Sequence, residues 1–151
     1  MLLESLLAYA HIMAFLMLAT FMTSETALCR PAWINPDVVR RLAWVNLLTL
    51  VSGALVLLTG LARIAWGAKG SAWYWQQPLL HAKITLLVMM IALSLLARRR
   101  YLVWRRALDA GAGLPVEAEQ RATRRLVMWA AHLMVVAPLL AVMLARGVGT
   151  R

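Results

Sequence analysis

The chain has 151 residues, of which 63% are hydrophobic and only 15% are charged, against roughly half and a quarter in soluble domains. This composition excludes a disordered chain and argues against a soluble globular protein. The formal net charge of +10 does not indicate nucleic-acid binding, because basic residues in so hydrophobic a chain more often set membrane orientation. The single cysteine, Cys29, excludes an internal disulfide.

Four apolar segments predict four transmembrane helices, since about twenty apolar residues span a ~30 Å hydrocarbon layer. The segments cover residues 6–28, 42–65, 79–97 and 126–145. The sequence therefore predicts an all-α fold, an integral membrane four-helix bundle, with residues 1–151 forming a single transmembrane domain. Membrane lipid is the first expected partner, and homo-oligomerisation is left open.

Three connections separate the predicted spans. The first contains Pro36 and Asp37, which are expected to start and cap the second helix. The second is rich in tryptophan, a residue that favours the membrane interface. The third, residues 98–125, has its strongest helix breaker at 111–115 and is expected to extend both flanking helices beyond the bilayer.

Basic residues are concentrated in the first and third connections, which hold eleven of the sixteen. They are Arg30, Arg40, Arg41, Arg98, Arg99, Arg100, Arg105, Arg106, Arg121, Arg124 and Arg125. The positive-inside rule makes these loops cytoplasmic. We expect a multi-pass protein of a bacterial inner membrane with both termini periplasmic. A binding patch for anionic lipid on the same arginines is an additional interpretation.

Polar residues inside the spans are functional candidates, because ionisable groups are costly in the membrane. Depth along the predicted helices sorts them into two layers. The outer layer comprises His11, Arg63, His81 and Lys83, and the inner layer comprises Glu25, Asn46 and His132. All three histidines of the chain lie in predicted spans.

Helical phase indicates which of these residues share a face. His11 and Glu25 are fourteen residues apart, a rotation of about 1400° that returns to within ~40° of the starting direction. His81 and Lys83, two residues apart, point about 160° away from each other. A stripe of small residues in the second helix favours close approach of a neighbouring helix or flat ligand; it comprises Asn46, Gly53 and Gly60.

Most of the chain resembles a family of small predicted bacterial membrane proteins of unknown function. The resemblance rests on the stretch from Thr59 to Pro78, followed by Lys83. It also includes the opening Ala-His11-Ile with Glu25, and the segment that begins at Pro138.

A more distant resemblance is to the HemJ-type protoporphyrinogen oxidases and to the membrane domain of the CopD copper-resistance proteins. It rests on His11 early in the first helix and on His81-Ala-Lys83 at the start of the third. HemJ-type proteins bind haem b and oxidise protoporphyrinogen IX. The resemblance implies that His11 is a haem ligand, and that His81 and Lys83 are ligands or active-site groups.

The sequence therefore predicts a haem b-binding redox protein, holding one or two haems, that transfers electrons or oxidises protoporphyrinogen IX. Its expected partners are a porphyrin or an electron-transfer protein, with no nucleic acid. The alternatives are a CopD-like copper-handling or transport protein and a structural membrane subunit without cofactor.

Each candidate residue has a proposed functional role and a simpler structural alternative. His11, His81 and His132 are candidate metal ligands, or polar residues that pack or face the interface. Arg63, Lys69 and Lys83 are candidate partners of porphyrin propionates, or snorkelling side chains; Lys83 is also a candidate catalytic group. Glu25 is the second candidate catalytic group, in a proton relay with His132, or pairs with a loop arginine.

Overall fold

Four long apolar helices make up most of the chain. The computed structural model describes residues 2–66 and 71–147, and within these ranges it contains no strand. The helices are α1 (Leu2–Leu28), α2 (Pro36–Trp66), the short α3 (Ser71–Trp75), α4 (Pro78–Asp109) and α5 (Glu117–Ala145), with a 3-10 turn at Pro31–Trp33. All except α3 are long and apolar enough to cross a membrane. The predicted fold class is therefore confirmed.

The second long helix begins at Pro36, as expected, but its cap is Asn35 rather than Asp37. The side-chain oxygen of Asn35 accepts a hydrogen bond of 2.9 Å from the backbone N–H of Val38. Proline is suited to the first helical position, so the residue before it becomes the N-cap. Asp37 lies inside the first turn, where its carboxylate is 4.0 Å from the guanidinium of Arg40.

The third connection extends both neighbouring helices, as expected. The α4 helix runs for 32 residues, about 48 Å at 1.5 Å per residue and well beyond the ~30 Å hydrocarbon layer. The chain reverses at Gly111 and Gly113, which have positive φ angles of 74° and 86°. Glycine adopts this conformation without the steric cost that a Cβ imposes.

The α2 helix is central to the packing. It packs against α1 and α4, while α5 packs mainly against α4 and contacts α1 less extensively. The small-residue stripe lies at these contacts: a Cβ placed on Gly53 would lie 3.4 Å from the side chain of Ile91 in α4. The close approach predicted from the stripe is confirmed.

The N-terminal turns of α1 are not part of the described core. Buried apolar residues among the described positions form three clusters, and α1 contributes to them only from Ala14 onward. Leu2, Leu3, Leu6 and Tyr9 are exposed. The first three turns of α1 therefore contribute to none of the described core clusters.

All eleven loop arginines lie at the same end of the bundle, because α1 and α4 end there and α2 and α5 begin there. Contacts across this end join distant parts of the chain. The guanidinium of Arg40 lies 3.4 Å from the carboxylate of Asp109, and Arg124 donates a hydrogen bond of 3.2 Å to the carbonyl of Thr26. We call this the arginine end, and the opposite end the outer end.

Orientation can be tested with reporter fusions. If the arginine end faces the cytoplasm, a periplasm-active enzyme fused after Arg151 will be active and one fused at Gly111 will be silent. A fusion at Ser71, at the outer end, serves as an internal control and will be active. The reverse pattern at all three positions would show that the arginine end faces the periplasm.

Candidate functional site

His11 is held against α2 by a hydrogen bond that defines its tautomer. Its Nδ1 lies 2.9 Å from Oγ1 of Thr59, and the same oxygen lies 2.6 Å from the carbonyl of Leu55. A hydroxyl has one hydrogen, and the carbonyl is only an acceptor. Thr59 therefore donates to Leu55, and His11 donates from Nδ1. This assignment leaves the lone pair on Nε2, as in histidines that bind metal through that atom.

Gly60 makes room for this imidazole. A Cβ placed on Gly60 would lie 3.3 Å from Cε1 of His11, closer than an ordinary van der Waals contact. A side chain at position 60 would require the imidazole or the helix to shift by a few tenths of an ångström. Gly60 thus leaves room for the imidazole of His11, and Thr59 orients it through a hydrogen bond.

Two cationic side chains flank His11 at the outer end. Lys83 of α4 and Arg63 of α2 both interact electrostatically with the imidazole, and with each other. Both are partly buried, and neither forms an ion pair with any carboxylate in the described ranges. This part of the bundle therefore carries positive charge that no carboxylate of residues 2–66 or 71–147 pairs with. Lys69, the third predicted propionate partner, lies outside the described residues.

His81 points away from this group. It is exposed, its Nε2 donates a hydrogen bond of 2.9 Å to the carbonyl of Trp75, and its ring lies 6.0 Å from that of Trp75. Lys83, two residues later, is partly buried, so the predicted divergence of these two side chains is confirmed. The outer layer therefore brings together His11, Arg63 and Lys83 without His81.

His132 lies on an exposed face of α5. Its Nδ1 donates a hydrogen bond of 2.6 Å to the carbonyl of Met128. The buried positions nearby are Val127 and Ala130, and a residue two places after Ala130 points away from the core. Within residues 2–66 and 71–147, no three His, Cys, Asp or Glu residues are arranged to hold a metal ion.

Glu25 is the centre of a buried hydrogen-bond network at the arginine end. It is 1% exposed. Its Oε1 accepts a hydrogen bond of 3.0 Å from Nδ2 of Asn46, and its Oε2 lies 3.1 Å from Oγ1 of Thr49. Asn46 also donates to the carbonyl of Ser94, at 3.2 Å. The network therefore ties α1, α2 and α4 together, and it confirms the predicted proximity of Glu25 and Asn46.

Glu25 has no cationic partner among the described side chains. The nearby arginines donate to backbone carbonyls instead: Arg98 to Ala43 at 3.1 Å, and Arg124 to Thr26 at 3.2 Å. The alternative in which Glu25 pairs with a loop arginine is therefore wrong. His132 is exposed on α5 and makes no contact with Glu25 that would support the predicted proton relay.

The hydrogen bonds around Glu25 can all be satisfied by a protonated carboxyl group. Oγ1 of Thr49 lies 3.1 Å from Oε2 of Glu25 and 3.2 Å from the carbonyl of Val45, yet it has only one hydrogen to donate. If Glu25 carries a proton on Oε2, it donates to Thr49, and Thr49 donates to Val45. An unpaired carboxylate would be costly at this depth. The buried hydroxyl of Tyr101 lies beside this network, close enough to Glu25 and Cys29 to interact with both.

The fold defines a polytopic α-helical membrane protein. It has a histidine flanked by two cations at one end, and a buried hydrogen-bond network around a glutamate at the other. The chain belongs to the DUF2214 family of predicted membrane proteins, whose model matches residues 3–149. This match supports the resemblance to a family of small membrane proteins. No curated protein and no solved structure matches the chain, and no similarity to HemJ-type or CopD proteins is shown.

Proposed function

We propose that the protein binds haem b at its outer end and acts as a membrane redox protein, with His11 as an axial ligand. The observation that carries the proposal is the Nδ1 hydrogen bond of His11 to Thr59, which presents the Nε2 lone pair for coordination. Imidazole is a common axial ligand of haem iron. Lys83 and Arg63 beside it supply positive charge for the two propionates of the haem.

The available space favours the outer end over the centre of the bundle. The void between the helices, lined by residues that include Leu18, Gly53 and Met90, has room for only about 10 Å³, far below the ~300 Å³ of the smaller ligand pockets. The outer turns of α1 contribute to none of the described core clusters. A planar group can therefore approach His11 there without displacing a packed core.

The described histidines support one haem rather than two. His81 and His132 are exposed, and each is hydrogen-bonded to a nearby backbone carbonyl. Among the three, His11 is the partly buried one, and Lys83 and Arg63 flank it. When bound, the haem supplies one-electron chemistry, while this chain orients its ligand and neutralises its carboxylates.

Absorption spectra of the detergent-purified protein, oxidised and reduced, test the proposal together with a pyridine haemochrome assay. We expect the wild type to contain haem b and His11→Ala to lose it, because the substitution removes the ligand and leaves an apolar helix intact. His132→Ala is the matched control and will keep its haem. Thr59→Val retains His11 but removes its hydrogen-bond partner, so a shifted spectrum is expected.

Two results would contradict the proposal. If wild-type protein purified from cells supplied with haem precursors contains no haem, the remaining candidate functions are copper handling and a structural role. An unchanged haem content and spectrum in His11→Ala would show that the ligand lies elsewhere. If haem is present, an assay of protoporphyrinogen IX oxidation separates an oxidase from an electron carrier.

A further inference from the structure

A groove runs along one face of α5 at the arginine end. Its lining comprises Arg121, Arg124, Arg125, Met128, Trp129 and His132. These positions are three or four residues apart, so they form a single helical stripe. The arginines occupy one end of the groove and the larger, less charged side chains occupy the other.

The arginine part of the groove has guanidinium groups available for a ligand. Arg125 is exposed and forms no ion pair with a described carboxylate. Arg121 is paired with Glu117 through one side of its guanidinium. Arg124 donates through a single nitrogen, to the carbonyls of Thr26 and Cys29.

The other part of the groove suits a hydrocarbon chain. Trp129 is 65% exposed, and its ring lies 6.3 Å from that of His132. Arg125 and His132 are seven residues apart, about 10 Å along the helix axis. The groove is therefore long enough to cross the boundary between lipid headgroups and acyl chains. Tryptophan is enriched at this boundary.

We propose that this groove is a binding site for an anionic phospholipid, with its phosphate at Arg121 and Arg125 and an acyl chain along Trp129. Anionic headgroups are attracted to arginines placed at the membrane surface. A free phosphate ion would use only half of the groove.

A second copy of the chain is a poorer occupant. Two copies related by a twofold axis along the membrane normal would bring the three arginines of one groove against those of the other at the same depth. Like charges in contact oppose that arrangement. The proposal is independent of haem binding, since the groove and the His11 group lie at opposite ends of the bundle.

Native mass spectrometry of the full chain in detergent, titrated with phosphatidylglycerol or phosphatidylcholine, tests the site. We expect preferential binding of phosphatidylglycerol. The double variant Arg121→Gln/Arg125→Gln should bind it about 25-fold more weakly, since each arginine near the surface contributes a factor of about five. Trp129→Ala should also weaken binding, and excess inorganic phosphate should not displace the lipid.

A matched variant distinguishes a site from general charge attraction. Arg99→Gln/Arg106→Gln removes two exposed arginines of α4 from the same end of the bundle. Neither lines the groove, and salt screens distant exposed charges, so phosphatidylglycerol binding will stay within about twofold of wild type. Circular dichroism checks that all variants remain helical. Equal loss in both double variants, equal binding of the two lipids, or displacement by phosphate would overturn the proposal.

Discussion

Glu25→Ala is expected to lower the free energy of unfolding by about 2–4 kcal/mol, whereas Glu25→Gln will cost less than about 1 kcal/mol. Alanine leaves the amide of Asn46 and the hydroxyl of Thr49 without the carboxyl group that they contact, and it opens a cavity at a fully buried position. Hydrogen bonds between membrane helices are individually modest, so much of the loss comes from the cavity.

Glutamine mimics the protonated form of Glu25. Its oxygen accepts from Asn46, and its NH2 group donates to Thr49, which then donates to the carbonyl of Val45 as in the proposed hydrogen pattern. Unfolding in mixed micelles, followed by circular dichroism, measures the difference. Glu4→Ala, at an exposed position of the same helix, is the control. If glutamine destabilises as much as alanine does, Glu25 is ionised in the folded protein.

The sequence was sufficient to predict the helices and part of each polar layer, because these depend on hydrophobic length and helical phase. Both His11 and Glu25 contact α2, as their fourteen-residue separation predicts. His132 was grouped with the inner layer by depth alone. The phase of α5, with buried residues at Thr123, Val127 and Ala130, explains its exposed position.

The residues that position the two polar groups were missed. Thr59 orients His11 and Thr49 completes the Glu25 network, but threonine in a helix commonly bonds to the backbone of its own preceding turn. Both do so here as well. The available signal was their placement: Thr59 precedes Gly60 of the small-residue stripe, and Thr49 lies three residues after Asn46. Which threonine also contacts a neighbouring helix depends on packing that one sequence does not specify.

Lys83→Met and Arg63→Met are each expected to weaken haem binding about tenfold or more. Charge-assisted hydrogen bonds contribute roughly 1.5–3 kcal/mol each, and methionine keeps most of the apolar stem while removing the charge. Both cations are close enough to His11 to interact with it electrostatically. Haem retention during dilution and transfer to apomyoglobin measures the loss. Arg146→Met, an exposed cation at the same end of the bundle, is the control.

The same variants separate a haem-binding role of Lys83 from a catalytic one. If Lys83 neutralises a haem propionate, Lys83→Met loses haem and activity together. If it binds a separate porphyrinogen, haem persists while oxidation of protoporphyrinogen IX fails. Full haem retention and unchanged activity in both variants would mean that Lys83 and Arg63 only snorkel to the interface. A charge that contacts neither the haem nor the porphyrinogen can be removed without affecting either.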